Sequence, residues 1–229
     1  VSISVCIGYT DRNYGNMARV AARSIKRHTP DVNVHLVRCC NKGYRQNMGT
    51  RFDAYVDESA DWVLALDADS LCFGDIRPII ERAEHEGWDF LGRLSGRPRK
   101  APRMFDRKRY DQLFRDAGLN RIAVHVPNAF LVRGGHSARL AELATRWTEH
   151  LYETENHVLG RPLWSDQIGF TLGLAELGLP HADSGHFLGH EVANWTRARR
   201  MPSRPLIAHF GANRWRWLWS QGRILGLIQ

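Results

Sequence analysis

A run of five apolar residues, Trp62-Val63-Leu64-Ala65-Leu66, constrains this sequence more than any other stretch. Strands that are continuously hydrophobic are buried on both faces, and they belong to parallel sheets covered by helices on either side. The run stops at Asp67-Ala68-Asp69, where two carboxylates appear just as the strand leaves the core. In an open α/β sheet, ligands bind beyond the carboxyl ends of the strands. Two hard oxygen ligands there suit Mg²⁺ or Mn²⁺, and such a cation suits a diphosphate. Asp and Ser also favour turns, so the same letters can simply end a strand. A motif this short is decided by its context.

That context alternates. Ile3–Ile7 reads as a first strand and Gly8–Gly15 as a polar turn. From Asn16 to His28, Met17, Val20, Ala21 and Ile25 recur at helical spacing, and Pro30 closes the helix. Val32–Val37 predicts a second strand, Met48–Ala60 a second helix, and the residues after Asp75 a third helix through about Glu86. This β-α-β-α-β-α order predicts an α/β fold with a parallel, doubly wound sheet flanked by helices. Between Gly92 and Arg109 two prolines, two glycines and many basic residues predict an exposed loop. Strand character returns at Ile122–Val126 and Ala129–Val132, around Pro127-Asn128. Helices follow over Ala138–Tyr152 and Leu163–Leu177. No linker separates domains, so the 229 residues are read as a single domain, with 92–121 a basic variable insertion.

Charge and cysteines narrow the partners. A formal net charge of +8 and a pI near 9.7 imply an anionic partner: a phosphate ligand, an acidic glycan, a lipid surface or a nucleic acid. Cys6, Cys39, Cys40 and Cys72 form no C-x-x-C, and they read as buried thiols in a reducing, cytoplasmic setting. No apolar run is long enough to span a membrane. The absence of G-x-G-x-x-G argues against a dinucleotide-binding dehydrogenase, and the absence of H-E-x-x-H against that class of zinc hydrolase.

Five stretches occur in a telling order: Val1–Val37, then WVLALDADSLCFGDI, PNAFLV, WSDQIGF and IAHFGANRWRW. Together they resemble a glycosyltransferase of the GT-A fold. The match is to the retaining family that contains glycogenin and the bacterial lipopolysaccharide galactosyl- and glucosyltransferases. The resemblance implies a hexosyltransferase that uses a nucleoside diphosphate sugar, UDP-linked, with Mn²⁺ or Mg²⁺ as cofactor and a glycan or glycolipid as acceptor. It further implies that Gly8, Tyr9, Thr10, Asp11, Asn13 and Tyr14 hold the base and ribose, and that Arg51 reaches the diphosphate or sugar. Asp69 and His209 would bind the metal, Asp67 would share it or orient the ribose, and Gly211 and Arg214 would lie beside the diphosphate. Arg214 stands where the family usually has lysine, with one residue fewer between it and the histidine. Asn128 and Asp166 would contact the donor sugar, and Gln167 would lie beneath its anomeric carbon. Each of these has a plainer reading: a helix cap for Asp11 or Asp166, a solvated arginine for Arg51, a core histidine for His209.

One departure matters. Many members read D-Q-D where this sequence reads Asp166-Gln167-Ile168. An amide oxygen is a poor nucleophile, so electrostatic stabilisation of an oxocarbenium-like state is favoured over a covalent intermediate. The segment from Trp195 onward interleaves arginine with Trp215, Trp217 and Trp219. Such a tail suits peripheral contact with an anionic membrane face, stacking on a nucleic acid, or packing on its own core. The competing reading of the whole chain is a protein that binds nucleic acid or an anionic surface without turnover.

Overall fold

A computed structural model describes residues 1–39, 51–94, 107–155, 165–185, 187–191 and 205–210. Among these residues the central sheet has six strands: β1 (Ile3–Tyr9), β2 (Asn33–Arg38), β3 (Trp62–Asp67), β5 (Phe90–Leu94), β6 (His125–Arg133) and β7 (His181–Asp183). Their spatial order is β2-β1-β3-β6-β5-β7. β1 pairs in parallel with β2 and β3, while β6 runs against both β3 and β5. The sheet is therefore mainly parallel with one reversed strand. A second sheet joins β4 (Ser70–Cys72), β9 (Ile207–His209) and β8 (His190–Glu191), in the order β4-β9-β8.

The apolar strands divide their side chains between two cores, as the two-residue period of a strand requires. Ile3, Val5, Ile7, Leu64 and Leu66 face one side, packed on α1 (Arg12–His28) and α2 (Arg77–Glu86). Cys6, Val63, Ala65, Phe130 and Val132 face the other, packed on α4 (Gly134–Glu155) and α5 (Ser165–Leu177). Gly169 and Gly173 let α5 lie directly against α4: a Cβ at Gly169 would stand 2.7 Å from Thr148 Cα, and one at Gly173 2.8 Å from Ala144 N.

Several expectations change. The Gly8–Gly15 turn shrinks to two residues, because β1 continues to Tyr9 and the helix starts at Arg12. Asp11 causes the early start: its side chain accepts from the backbone N–H groups of Asn13 and Tyr14, satisfying helix-end donors. Of the helix expected over Met48–Ala60, only a 3₁₀ turn, Arg51–Tyr55, occurs among the described residues. A turn closed by the Asp57 carboxylate on the N–H and hydroxyl of Ser59 follows it. The two strands expected around Pro127-Asn128 are one, and β5 slips register opposite them, between Gly92 and Arg93. A proline without an N–H is tolerated at such an irregularity.

The basic stretch also proves less uniform than its composition predicts. Gly92 lies inside β5, and Arg107–Asp116 form a helix, α3. Tyr110, Leu113 and Phe114 of α3 pack on Leu151, Ile168 and Leu172. An apolar stripe within the charged residues overrides the loop signal. Cys6, Cys39 and Cys72 are buried and free, as expected; Cys40 lies outside the described residues. Among the described residues no helix is long and apolar enough to cross a membrane.

Candidate active site

The site forms where β1 and β3 end side by side, with Gly8 paired to Asp67. The chain turns at Asp67-Ala68-Asp69 and enters β4 at once. β9 lies antiparallel to β4, with Ser70 opposite His209, and the Phe210 N–H donates to the Asp69 carbonyl at 2.9 Å. This small sheet is what carries His209 to the carboxylates. Its Nε2 stands 3.1 Å from Asp69 Oδ1 and 3.7 Å from Asp67 Oδ2. Ligand atoms from all three residues fall within 4.8 Å of one another. Two carboxylates and an imidazole converging in this way fit a divalent cation, and the imidazole suits Mn²⁺ better than Mg²⁺.

The surroundings split the two carboxylates. Burial raises the pKa of Asp67, Arg51 and His209 pull against that shift, and Asp69 adds to it. Burial acts on Asp69 in the same sense, but the charge and hydrogen bond of His209 outweigh it and hold Asp69 below the usual carboxylate range. Tyr55, deeply buried, donates its hydroxyl to Asp67 Oδ1 at 3.0 Å. Burial, and then the neighbouring Asp67 charge, push this phenol well above its ordinary range, so it stays a donor. Gly8 makes room for the ring, since a Cβ there would meet the Tyr55 ring and hydroxyl at 3.3 Å.

Arg51 ties this end to the Asp-Gln pair. Its Nη1 stands 3.0 Å from Asp166 Oδ2, and its Nη2 lies 3.4 Å from the Pro127 carbonyl. Burial raises the Asp166 pKa and Arg51 opposes the shift. The same carboxyl accepts from the Gln167 N–H at 2.8 Å, in the first turn of α5. Buried acceptor oxygens of Gln167 (Oε1) and Asn128 (Oδ1) have no protein partner. Such atoms cost about 1–3 kcal/mol each, so they suit donors supplied by a ligand. Asn128 Nδ2 donates to the Gly189 carbonyl at 3.1 Å, where Arg93 Nη1 also donates at 2.7 Å. Gly189 has a φ of +63°, and a Cβ there would run into the Asn128 amide oxygen and come within 3.1 Å of Ala129.

The structure therefore gathers Asp67, Asp69 and His209 around one point, and Arg51, whose charge acts on both carboxylates, pairs with Asp166 beside them. Gly8 and Tyr9 end β1 and Thr10 follows. Asp11 caps α1, with Asn13 and Tyr14 in its first turn, so these residues stand at the same sheet edge. The Asp11 carboxylate is engaged by the cap, as the plainer reading of the sequence has it. Gly211 and Arg214, with the tail from Trp195, lie outside the described residues. Two participants were not assigned roles from the sequence: Tyr55 and Gly189. The four-residue spacing of Arg51 and Tyr55 was visible, but the partner of the hydroxyl was not.

No known family model matches this sequence, and no curated protein matches it. Solved structures do. A glycosyltransferase involved in glycosylating the major capsid of the virus PBCV-1 superposes with a TM-score of 0.62 at 8% identity, covering 96% of this chain and 98% of that one. The galactosyltransferase LgtC, solved with donor and acceptor sugar analogues, gives 0.59 at 13%, covering 98% and 94%. Mouse xyloside xylosyltransferase 1 in its apo form gives 0.56 at 13%, covering 93% and 99%. The fold is that of the GT-A glycosyltransferases. At these identities the likeness establishes architecture, and the chemistry rests on the residues of the site.

Proposed function

We propose that this protein is a metal-dependent glycosyltransferase that moves a hexose from a nucleoside diphosphate sugar, UDP-linked, to a hydroxyl of a glycan or glycolipid, with retention. One observation carries the reading: Asp67, Asp69 and His209 converge at the carboxyl edge of a sheet whose architecture is shared with glycosyltransferases. These three residues would hold Mn²⁺ or Mg²⁺, which when bound offsets the charge of the departing diphosphate as a Lewis acid. Asn128 and Gln167 offer buried amide oxygens to sugar hydroxyls and to developing positive charge at the anomeric carbon. Asp166 is already bonded to Arg51, which favours displacement on one face over a covalent intermediate on that carboxylate. In such a displacement the departing phosphate takes the proton of the acceptor hydroxyl. The free, buried thiols support a cytoplasmic setting.

Two measurements test the reading. A donor-hydrolysis panel over UDP-, GDP- and other nucleotide sugars with Mn²⁺ is expected to show one donor consumed well above the rest. Calorimetry is expected to show UDP binding that strengthens with Mn²⁺, a gain that Asp69→Ala removes. Metal-independent binding that the substitution leaves unchanged would sink it. Binding to nucleic acid or an anionic surface without turnover rests on the net charge of +8 and on the arginine- and tryptophan-rich sequence from Trp195 onward. Donor consumption abolished by Asp69→Ala eliminates it.

A further inference from the structure

Tyr55 ends the 3₁₀ turn with only 3% of its surface exposed, its ring edge-on to Phe130 at 5.7 Å. Gly8 lies close against the ring, so the hydroxyl has little freedom to move. It donates to Asp67 Oδ1 at 3.0 Å, which leaves Oδ2 as the oxygen facing His209 at 3.7 Å. The terminal torsion of an aspartate is broad and nearly two-fold, so a carboxylate held by no donor samples many orientations. Here one is held. Arg51, at the other end of the same turn, is bonded to Asp166. A single five-residue turn thus grips both acidic parts of the site from the core side.

We propose that Tyr55 is a positioning residue that fixes which oxygen of Asp67 is presented to a divalent cation, and so sets the metal affinity of the site. The proposal rests on the metal-site part of the functional reading, and it needs neither the donor nor the acceptor. Hydrogen-bond partners that orient ligating carboxylates are worth about 10–100-fold in metal affinity.

The test is Mn²⁺ titration of the purified, nucleotide-free protein, by calorimetry or by electron paramagnetic resonance of the free ion. Tyr55→Phe keeps the ring and removes the donor. It is expected to weaken Mn²⁺ binding about 10–100-fold, while melting measured in a chelator falls only as far as the loss of one hydrogen bond to Asp67 requires, and saturating Mn²⁺ restores turnover. On an Asp67→Ala background, where the hydroxyl has no side-chain oxygen to hold, the same change is expected to add no further loss. Equal affinities for wild type and Tyr55→Phe overturn the proposal, as does an identical loss on both backgrounds. A wild-type protein that binds Mn²⁺ but consumes no nucleotide sugar overturns the transferase reading alone; one that binds no Mn²⁺, either alone or with UDP present, overturns both.

Discussion

The two faces of the central sheet are packed by different means, and each carries part of the site. The face covered by α1 and α2 is largely aliphatic: Val5, Ile7, Leu64 and Leu66 meet Val20, Ile25 and Ile80. On the other face, Phe90 and Phe130 of the sheet pack against Phe52 and Phe170 of the elements that cover it. Phe130 and Phe170 lie with ring centroids 4.8 Å apart, Phe52 stands 5.5 Å from Phe170, and Phe90 5.7 Å from Phe130. On that face α4 and α5 touch through glycine. Arg51, Tyr55, Asp166 and Gln167 all belong to elements packed there. Aliphatic packing tolerates small changes of shape, whereas close backbone contact and interlocked rings do not. The stiffer face aims Arg51, Tyr55, Asp166 and Gln167, whereas β4 and β9, which bring His209 to Asp69, pack on the aliphatic one.

The strongest way to break this contrast is Arg51→Ala. It would leave Asp166 buried and without its cation, and it is expected to cost about 3 kcal/mol in denaturant unfolding, the low end for buried pairs because Arg51 keeps some exposure. A loss no larger than that of an average surface substitution would show that the pair does not tie the turn to α5.

The pH dependence of stability comes next. His125, 1% exposed and edge-on to Phe90, has its pKa pushed down to about 4 by burial and then by His181, with Asp183 opposing. A depressed histidine is neutral when folded but takes up a proton when unfolded below about pH 6.5. Its contribution is therefore complete above pH 6.5 and is lost as the pH falls toward 4. Between pH 7 and pH 5 this amounts to about 2 kcal/mol. Unfolding of wild type and His125→Leu at both pH values checks it: the variant is expected to lose that slope.

The smallest difference to be resolved is the one between the faces themselves. Gly169→Ala forces a methyl group into Thr148 and is expected to cost about 1–3 kcal/mol. Ile25→Val, on the aliphatic face, is expected to cost about 1 kcal/mol. Melting of the two variants side by side decides whether the faces differ.

Much of the site was legible from residue type and order. The apolar run into Asp67-Ala68-Asp69 placed two carboxylates at a strand end, and that is where they are. The isolated His209 could be joined to them only through a family resemblance, because the contact is made by β4 and β9, each three residues long. Strands that short carry no periodic signal of their own. The α3 helix was hidden for the opposite reason: its basic residues dominate the composition, while Tyr110, Leu113 and Phe114 supply the packing.

The sequence by itself determined the alternation of strands and helices, the covered sheet and the carboxylates at its edge. Those follow from hydrophobic period and from where polarity first interrupts it. Only the tertiary structure decided that β6 runs backwards, that Asp11 caps a helix, and that Arg51 and Tyr55 reach from one turn to Asp166 and Asp67. Each of these is a pairing between residues whose chemistry allows many partners. Asp67 first read as half of a metal site whose other half was His209. It is also the acceptor of a buried hydroxyl, because folding brings Tyr55 beneath it.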